Sequence, residues 1–202
     1  HICYLSDFIY KYPNIRVYSY INTRKSLYGN FYGLSHNDTL SIGEIILTAL
    51  YTPGHYDDCL CYWDNMNNTL FTGDTVFVGR SGRTVNPYSN ISELYNSIYN
   101  IILKLPKNTI IYPGHDYLIN NLQFTLDREP DNKVAQEMIQ KHENIDPSNV
   151  ITTLADEMEF NTFFRLQNPT IIKRLKESFT DLSEHPSPKE VFIKLRELRN
   201  SW

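Results

Sequence analysis

Residues 108–117 read NTIIYPGHDY, a short β-branched run that stops at Pro113-Gly114 and delivers a histidine, His115, at once. The same arrangement occurs earlier, where ILTALYTPGH (46–55) ends on Pro53-Gly54 and His55. Between them NTLFTGD (68–74) runs into Gly73-Asp74. Proline fixes φ and glycine eases a tight turn, so each apolar run reads as a strand with a rigid end. Three such ends would put two imidazoles and a carboxylate at one edge of a sheet, a ligand set suited to zinc, iron or manganese. A lone histidine after a turn is more often a surface or core residue, and a lone Gly-Asp is more often a turn. On spacing alone the metal reading and that plainer reading stand side by side.

Working outward, CLCYWDN and NTLFTGD read as a hairpin joined by a polar turn through residues 64–68. GRSGRTVNPYSN (79–90) reads as a Gly/Pro/Asn loop, and SNISELYNSIYNIILKL (89–105) as a helix capped by Asn90 or Ser92. The chain opens with a helical spacing of Ile2, Leu5, Phe8 and Ile9, stopped by Pro13, and then the strand-like IRVYSY. With no initiator methionine, the chain is expected to start inside a folded unit. From residue 118 onward four segments show helical spacing, separated by breaks at prolines 130, 147, 169 and 186–188. The reading is therefore α+β, with an α/β part over 1–117 and a helical part over 118–202.

Composition narrows the classes. Of the 202 residues, 41% are hydrophobic and 13% aromatic, enough for a packed core and against disorder. A net charge of −4 with mixed signs offers no basic surface for nucleic acid. No apolar run approaches the ~18 residues of a membrane span, and no signal peptide is visible. The three cysteines, Cys3, Cys59 and Cys61, lack framework spacing, which points to a reducing compartment: the cytoplasm, with the mitochondrion as alternative. Cys59 and Cys61 alternate with Leu60 and Tyr62, so buried thiols are preferred over a metal pair. His36, His142 and His185 sit in polar or proline-rich surroundings and read as surface residues.

The succession TPGH, LFTGDTVF, GRSGR and LPKNTIIYPGHDY resembles the metallo-β-lactamase-fold hydrolases. After residue 115, PGHDYLINNLQFTLDREPDN, TLADEMEFNTFFRL and the closing LRELRNSW resemble hydroxyacylglutathione hydrolase (glyoxalase II). The resemblance implies a partial αββα fold, its first strands missing, followed by a glutathione-binding helical domain. It implies two divalent metal ions, zinc with iron or manganese as alternatives. His55 would serve one metal, His1 and His115 the other, and Asp74 both. His1 would be the last histidine of the family's His-x-His-x-Asp-His motif, whose earlier members are absent here. It also implies a glutathione thioester as substrate, cleaved by an activated water, with Arg83, Tyr117, Arg196 and Arg199 contacting the tripeptide. Tyr56, Asp58, Ser81 and Val85 depart from the family pattern and leave the thioester open. Two alternatives accompany this expectation: a mononuclear-iron persulfide dioxygenase on the same fold, and an inactive glutathione-binding module.

Overall fold

The computed structural model describes residues 4–23, 30–142 and 150–202. A short helix α1 (Leu5–Lys11) leads into β1 (Arg16–Tyr20), which pairs in parallel with β2 (Asn30–Leu34). The main sheet comprises β3 (Thr39–Ile42), β4 (Ile45–Tyr51), β5 (Leu60–Asp64), β6 (Thr69–Gly73), β9 (Ile110–Pro113) and β10 (Thr152–Thr153). Its spatial order is β10-β9-β6-β5-β4-β3, antiparallel throughout except for the parallel β6–β9 pair. Between β6 and the first long helix lies a miniature ribbon, β7 (Val76–Phe77) with β8 (Arg80–Ser81). The expected strands around 45–50, 60–64, 69–73 and 110–113 and the hairpin between 60 and 73 are all present. Strands β2, β3, β7 and β10 are additions, and β8 forms within the stretch 79–90 expected as loop.

Alternation along the strands sorts the sheet into two faces. Leu50, Cys61, Leu70 and Ile111 point to one face and pack under helix α2 (Ile91–Asn100) through Leu94 and Ile98. The opposite face carries Phe71 and Tyr112, stacked at 5.6 Å and both exposed. Ala49 and Leu47 on that face pack with Leu34 of the small sheet.

The helical part consists of α3 (Leu118–Arg128), α4 (Lys133–His142), α5 (Leu154–Phe160), α6 (Pro169–Ser178) and α7 (Pro188–Ser201). Pro169 and Pro188 are each the first residue of a helix, behind the caps Asn168 and Ser187, where a missing N–H costs nothing. Phe124, Ile171, Leu175, Phe192 and Leu195 from these helices join the same buried cluster as the strand residues. The core is thus continuous across residue 117. Among the described residues no helix is long and apolar enough to cross a membrane.

Candidate functional site

The two Pro-Gly turns put their histidines at one edge because each turn is tied to its surroundings. The Pro53 carbonyl accepts from Ser97 Oγ at 2.7 Å, and the Asn90 N–H donates to the Gly54 carbonyl at 2.8 Å. Gly54 has φ +139°, and a Cβ there would lie 2.4 Å from the Leu94 backbone. At the other turn the Gly114 N–H donates to the Gly73 carbonyl at 2.8 Å, fastening the end of β9 beside the end of β6. A Cβ on Gly114 would come within 2.6 Å of Asp74 Oδ1. Glycine at 114 therefore leaves the room that the carboxylate occupies.

The structure brings His55, Asp74 and His115 together. His55 Nε2 lies 3.4 Å from Asp74 Oδ2, and His115 Nε2 lies 3.7 Å from Asp74 Oδ1, so each carboxylate oxygen faces a different imidazole. His55 Nδ1 sits 2.7 Å from the Arg83 carbonyl. A carbonyl only accepts, so Nδ1 carries a proton and, in a neutral ring, Nε2 turns a lone pair toward Asp74. Two acceptors facing each other repel unless a cation or proton lies between them. The donor set therefore fits a divalent cation, with the far nitrogen of His55 fixed in the way metal-ligating histidines usually are. Among the described residues no group of three or more His, Cys, Asp or Glu closes to metal-holding geometry. His1, the fourth expected ligand, lies outside the described residues. Cys61 is fully buried, and burial pushes its thiol up to about 11 and that of Cys59 up to about 12, so both stay protonated.

The edge opens into a cavity of about 1180 Å³, whose lining includes His55, Asp74, His115, Arg80, Arg83 and Tyr117. Of the four expected substrate contacts, Arg83 and Tyr117 line it. Arg196 does not: it is completely buried in this ligand-free structure. Its Nη1 donates to the Ser81 carbonyl at 2.9 Å and the Gly82 carbonyl at 3.0 Å, and its guanidinium lies over the Phe163 ring at 5.0 Å. Its Nε and Nη2 find no acceptor among the described residues. Arg199 is also buried behind the wall, donating to Asn120 Oδ1 and lying over Trp202 and Phe124. Burial, then the charges of Arg80 and Arg83, lowers Arg199 to about 10; burial and three neighbouring arginines hold Arg196 well below its usual range. None of Arg80, Arg83, Arg196 and Arg199 forms an ion pair with a described residue. This unpaired cluster favours an anion.

Sequence reasoning missed two residues. Arg80 was read as part of a loop; its place in the cavity depends on Phe77 and Tyr117, which the chain does not place side by side. Glu157, in the helical part, reaches the Gly79 N–H at 2.9 Å and so holds the turn that presents Arg80. His36 is exposed, as expected, and its Nδ1 accepts from the Tyr51 N–H at 3.0 Å, whereas His142, also expected at the surface, is half-buried.

Comparison with known proteins agrees with this geometry. Residues 6–115 match the metallo-β-lactamase superfamily, and residues 116–202 match the hydroxyacylglutathione hydrolase C-terminus. A hydroxyacylglutathione hydrolase of Nitrosococcus oceani is 47% identical over 84% of this chain and 65% of its own length. One of Francisella tularensis subsp. novicida is 31% identical over 100% of this chain and 77% of its own. The chain thus spans 65% of the length of the first curated relatives it matches. The crystal structure of ETHE1 from Myxococcus xanthus shares the fold, with a TM-score of 0.59 at 23% identity over 97% of this chain and 70% of that one. From the paired family matches and these relatives it follows that the chain belongs to the metallo-β-lactamase superfamily and, within it, to the hydroxyacylglutathione hydrolase family.

Proposed function

We propose that the intact protein hydrolyses glutathione thioesters, with S-D-lactoylglutathione as the reference substrate, at the edge made by His55, Asp74 and His115. The observation that carries this reading is the shared cavity. The histidine–carboxylate edge and the Arg83 guanidinium open into one space, with further unpaired arginine charge behind its wall. Glutathione carries two carboxylates and asks for fixed cations beside a hydrolytic centre.

In the reaction water adds to the thioester carbonyl, the C–S bond breaks, and the departing thiolate takes up a proton. The products are the hydroxy acid and glutathione. His55, Asp74 and His115, with His1 as the expected further ligand, would hold divalent cations, and these would supply Lewis acidity that brings the pKa of water toward neutrality. Zinc, iron and manganese all suit these nitrogen and oxygen donors. Asp74 offers one oxygen to each side of the centre. The Arg83 carbonyl keeps the His55 ring in a single tautomer, so its Nε2 stays directed at the reacting edge. The Arg83 side chain and Tyr117 present a cation and a phenol to the tripeptide. In this reading Arg196 acts through the loop it holds, and Arg199 adds positive charge behind Asn120. Residues 1–117 carry the hydrolytic centre, and residues 118–202 brace the loop that binds the thiol half.

The names of the curated relatives favour hydrolysis over iron-dependent oxygen chemistry, since the ETHE1 likeness is one of fold. The test is turnover of S-D-lactoylglutathione by the intact protein together with its metal content. Asp74→Asn is expected to lower turnover by about 100-fold or more and to reduce bound metal. Unchanged turnover in a folded variant would overturn the assignment.

A further inference from the structure

Arg80 lines the cavity with Arg83 and Tyr117, and aromatic rings already fix its direction. Its guanidinium lies 5.6 Å from the centre of the Phe77 ring and 5.7 Å from that of Tyr117. Its Nε donates to the Ser81 carbonyl at 3.2 Å, and its two terminal nitrogens have no acceptor among the described residues. The helical part holds the turn from which it projects: the Gly79 N–H donates to Glu157 at 2.9 Å, and the Val78 carbonyl accepts from Asn121 Nδ2 at 2.7 Å. A flat cation held by rings, with parallel N–H groups still to be satisfied, is prepared for a bidentate carboxylate.

Its neighbours place it with the thiol half. Tyr117, which presents its phenol to the tripeptide, is one of the rings it lies against. The Ser81 carbonyl that accepts from Arg80 Nε also accepts from Arg196 Nη1 at 2.9 Å, so the two guanidinia meet at one oxygen. Of the neighbouring charges, that of Arg80 weighs most on both Arg196 and Arg199, and the Arg83 charge acts on Arg80 in turn. Arg196 and Arg199 are buried and outside the cavity lining, so their charge reaches an anion there only as a field through the wall. Arg80 stands where that field opens into the cavity. Four like charges with no ion partner among the described residues repel one another, and a carboxylate at Arg80 offsets that repulsion.

Resting on the thioester reading above, we propose that Arg80 is a specificity-determining residue for the thiol: it binds a carboxylate of glutathione, the glycyl or the γ-glutamyl one, and so sets the preference for a thiol that bears that group. It contributes to binding along the thiol half and takes no part in the attack on the carbonyl.

The experiment uses the intact metal-loaded protein and three S-D-lactoyl thioesters: that of glutathione, that of its glycinamide, and that of its 4-aminobutanoyl analogue, which lacks the γ-glutamyl carboxylate. Spontaneous hydrolysis is subtracted. The wild type is expected to lose about tenfold or more in kcat/KM on at least one analogue. Arg80→Met should lower kcat/KM on lactoylglutathione by a similar factor, through KM more than kcat, and should leave the rate on the analogue without Arg80's carboxylate nearly unchanged. The analogue that behaves so identifies the carboxylate. Arg80→Lys should keep part of the discrimination. Each discrimination is a ratio within one preparation, so a partly misfolded variant lowers all rates alike and leaves it intact. An equal loss on all three esters in Arg80→Met overturns this inference alone and places Arg80 in the fold; so does a wild type that hydrolyses the three alike. Failure of the wild type to hydrolyse lactoylglutathione overturns the thioester reading itself.

Discussion

Glu157 is a carboxyl group with no exposure to solvent, enclosed by three donors: the Gly79 N–H at 2.9 Å, Thr152 Oγ1 at 2.8 Å and Asn161 Nδ2 at 2.7 Å. Burial outweighs those bonds and pushes its pKa from the ordinary 4.5 up to about 7. The sign follows from which state ionises first. Below about pH 4.5 both folded and unfolded forms are protonated and the shift has no effect. Between 4.5 and 7 the unfolded chain releases its proton while the folded one keeps it, so stability falls as pH rises, by about 3 kcal/mol in all. Glu157→Gln removes this titration. The Tm of that variant relative to wild type should therefore rise between pH 5 and pH 8, and thermal unfolding at the two pH values checks it. A difference independent of pH would mean that Glu157 is ionised at both. None of this was legible in TLADEMEF, because the Gly79 turn that the carboxyl reaches lies 78 residues away in the chain. The meeting of His55, Asp74 and His115 was legible, since a rigid turn after a strand constrains a side chain locally.

Helix α7 shows what an element adds to its residues. Its start is written in the sequence: Ser187 accepts from the Glu190 N–H, Glu190 accepts from the Ser187 N–H, and Pro188 sits between. Its function as a brace is not, because Arg196 and Arg199 at three-residue spacing reveal a shared face but not what that face meets. The face turns inward, and Arg196 supplies the donors for the Ser81 and Gly82 carbonyls. Asn200, one turn on, donates to the Thr84 carbonyl at 3.3 Å, while its Oδ1 accepts from the Thr84 N–H at 3.5 Å. Residues 81–84 are thereby fastened to one helix, and Arg83 is among them. Arg196→Met keeps the apolar contact with Phe163, takes its donor from the Gly82 carbonyl and leaves the Ser81 carbonyl with Arg80 Nε alone. The expected loss is about 1–3 kcal/mol, read as a lower Tm. Because the loop carries Arg83 and not the metal edge's carboxylate, KM for lactoylglutathione should rise more than kcat falls. A kcat loss with KM unchanged would place Arg196 with the chemistry instead. The short ribbon β7–β8 escaped the sequence reading for a related reason: two-residue strands leave no periodicity to detect.

At the scale of the whole molecule the change of character near residue 117 suggested separable parts, yet the buried side chains do not part there. Leu70 and Ile111 of the sheet share one cluster with Phe124, Ile171 and Phe192 of the helices. The helices fill the face that the strands leave apolar, so neither set buries its surface alone. Cooperative unfolding follows, as in small domains with a single core. The chain carries two tryptophans, conveniently one in each part. Trp63 lies on β5 against the shared core, and Trp202 stands edge-on to Phe124 at 5.5 Å beyond α7. In Trp202→Phe the remaining fluorescence reports the sheet, and in Trp63→Phe it reports the helical end. Denaturant unfolding of each variant, followed by its own tryptophan and by far-ultraviolet circular dichroism, should give coincident curves. An earlier fluorescence transition for Trp202, with helix content lost in a separate step, would mean that the helical part melts from a sheet able to stand without it. In that case the brace on residues 81–84 would open before the fold does, and substrate affinity would fade at denaturant concentrations that leave the metal edge intact.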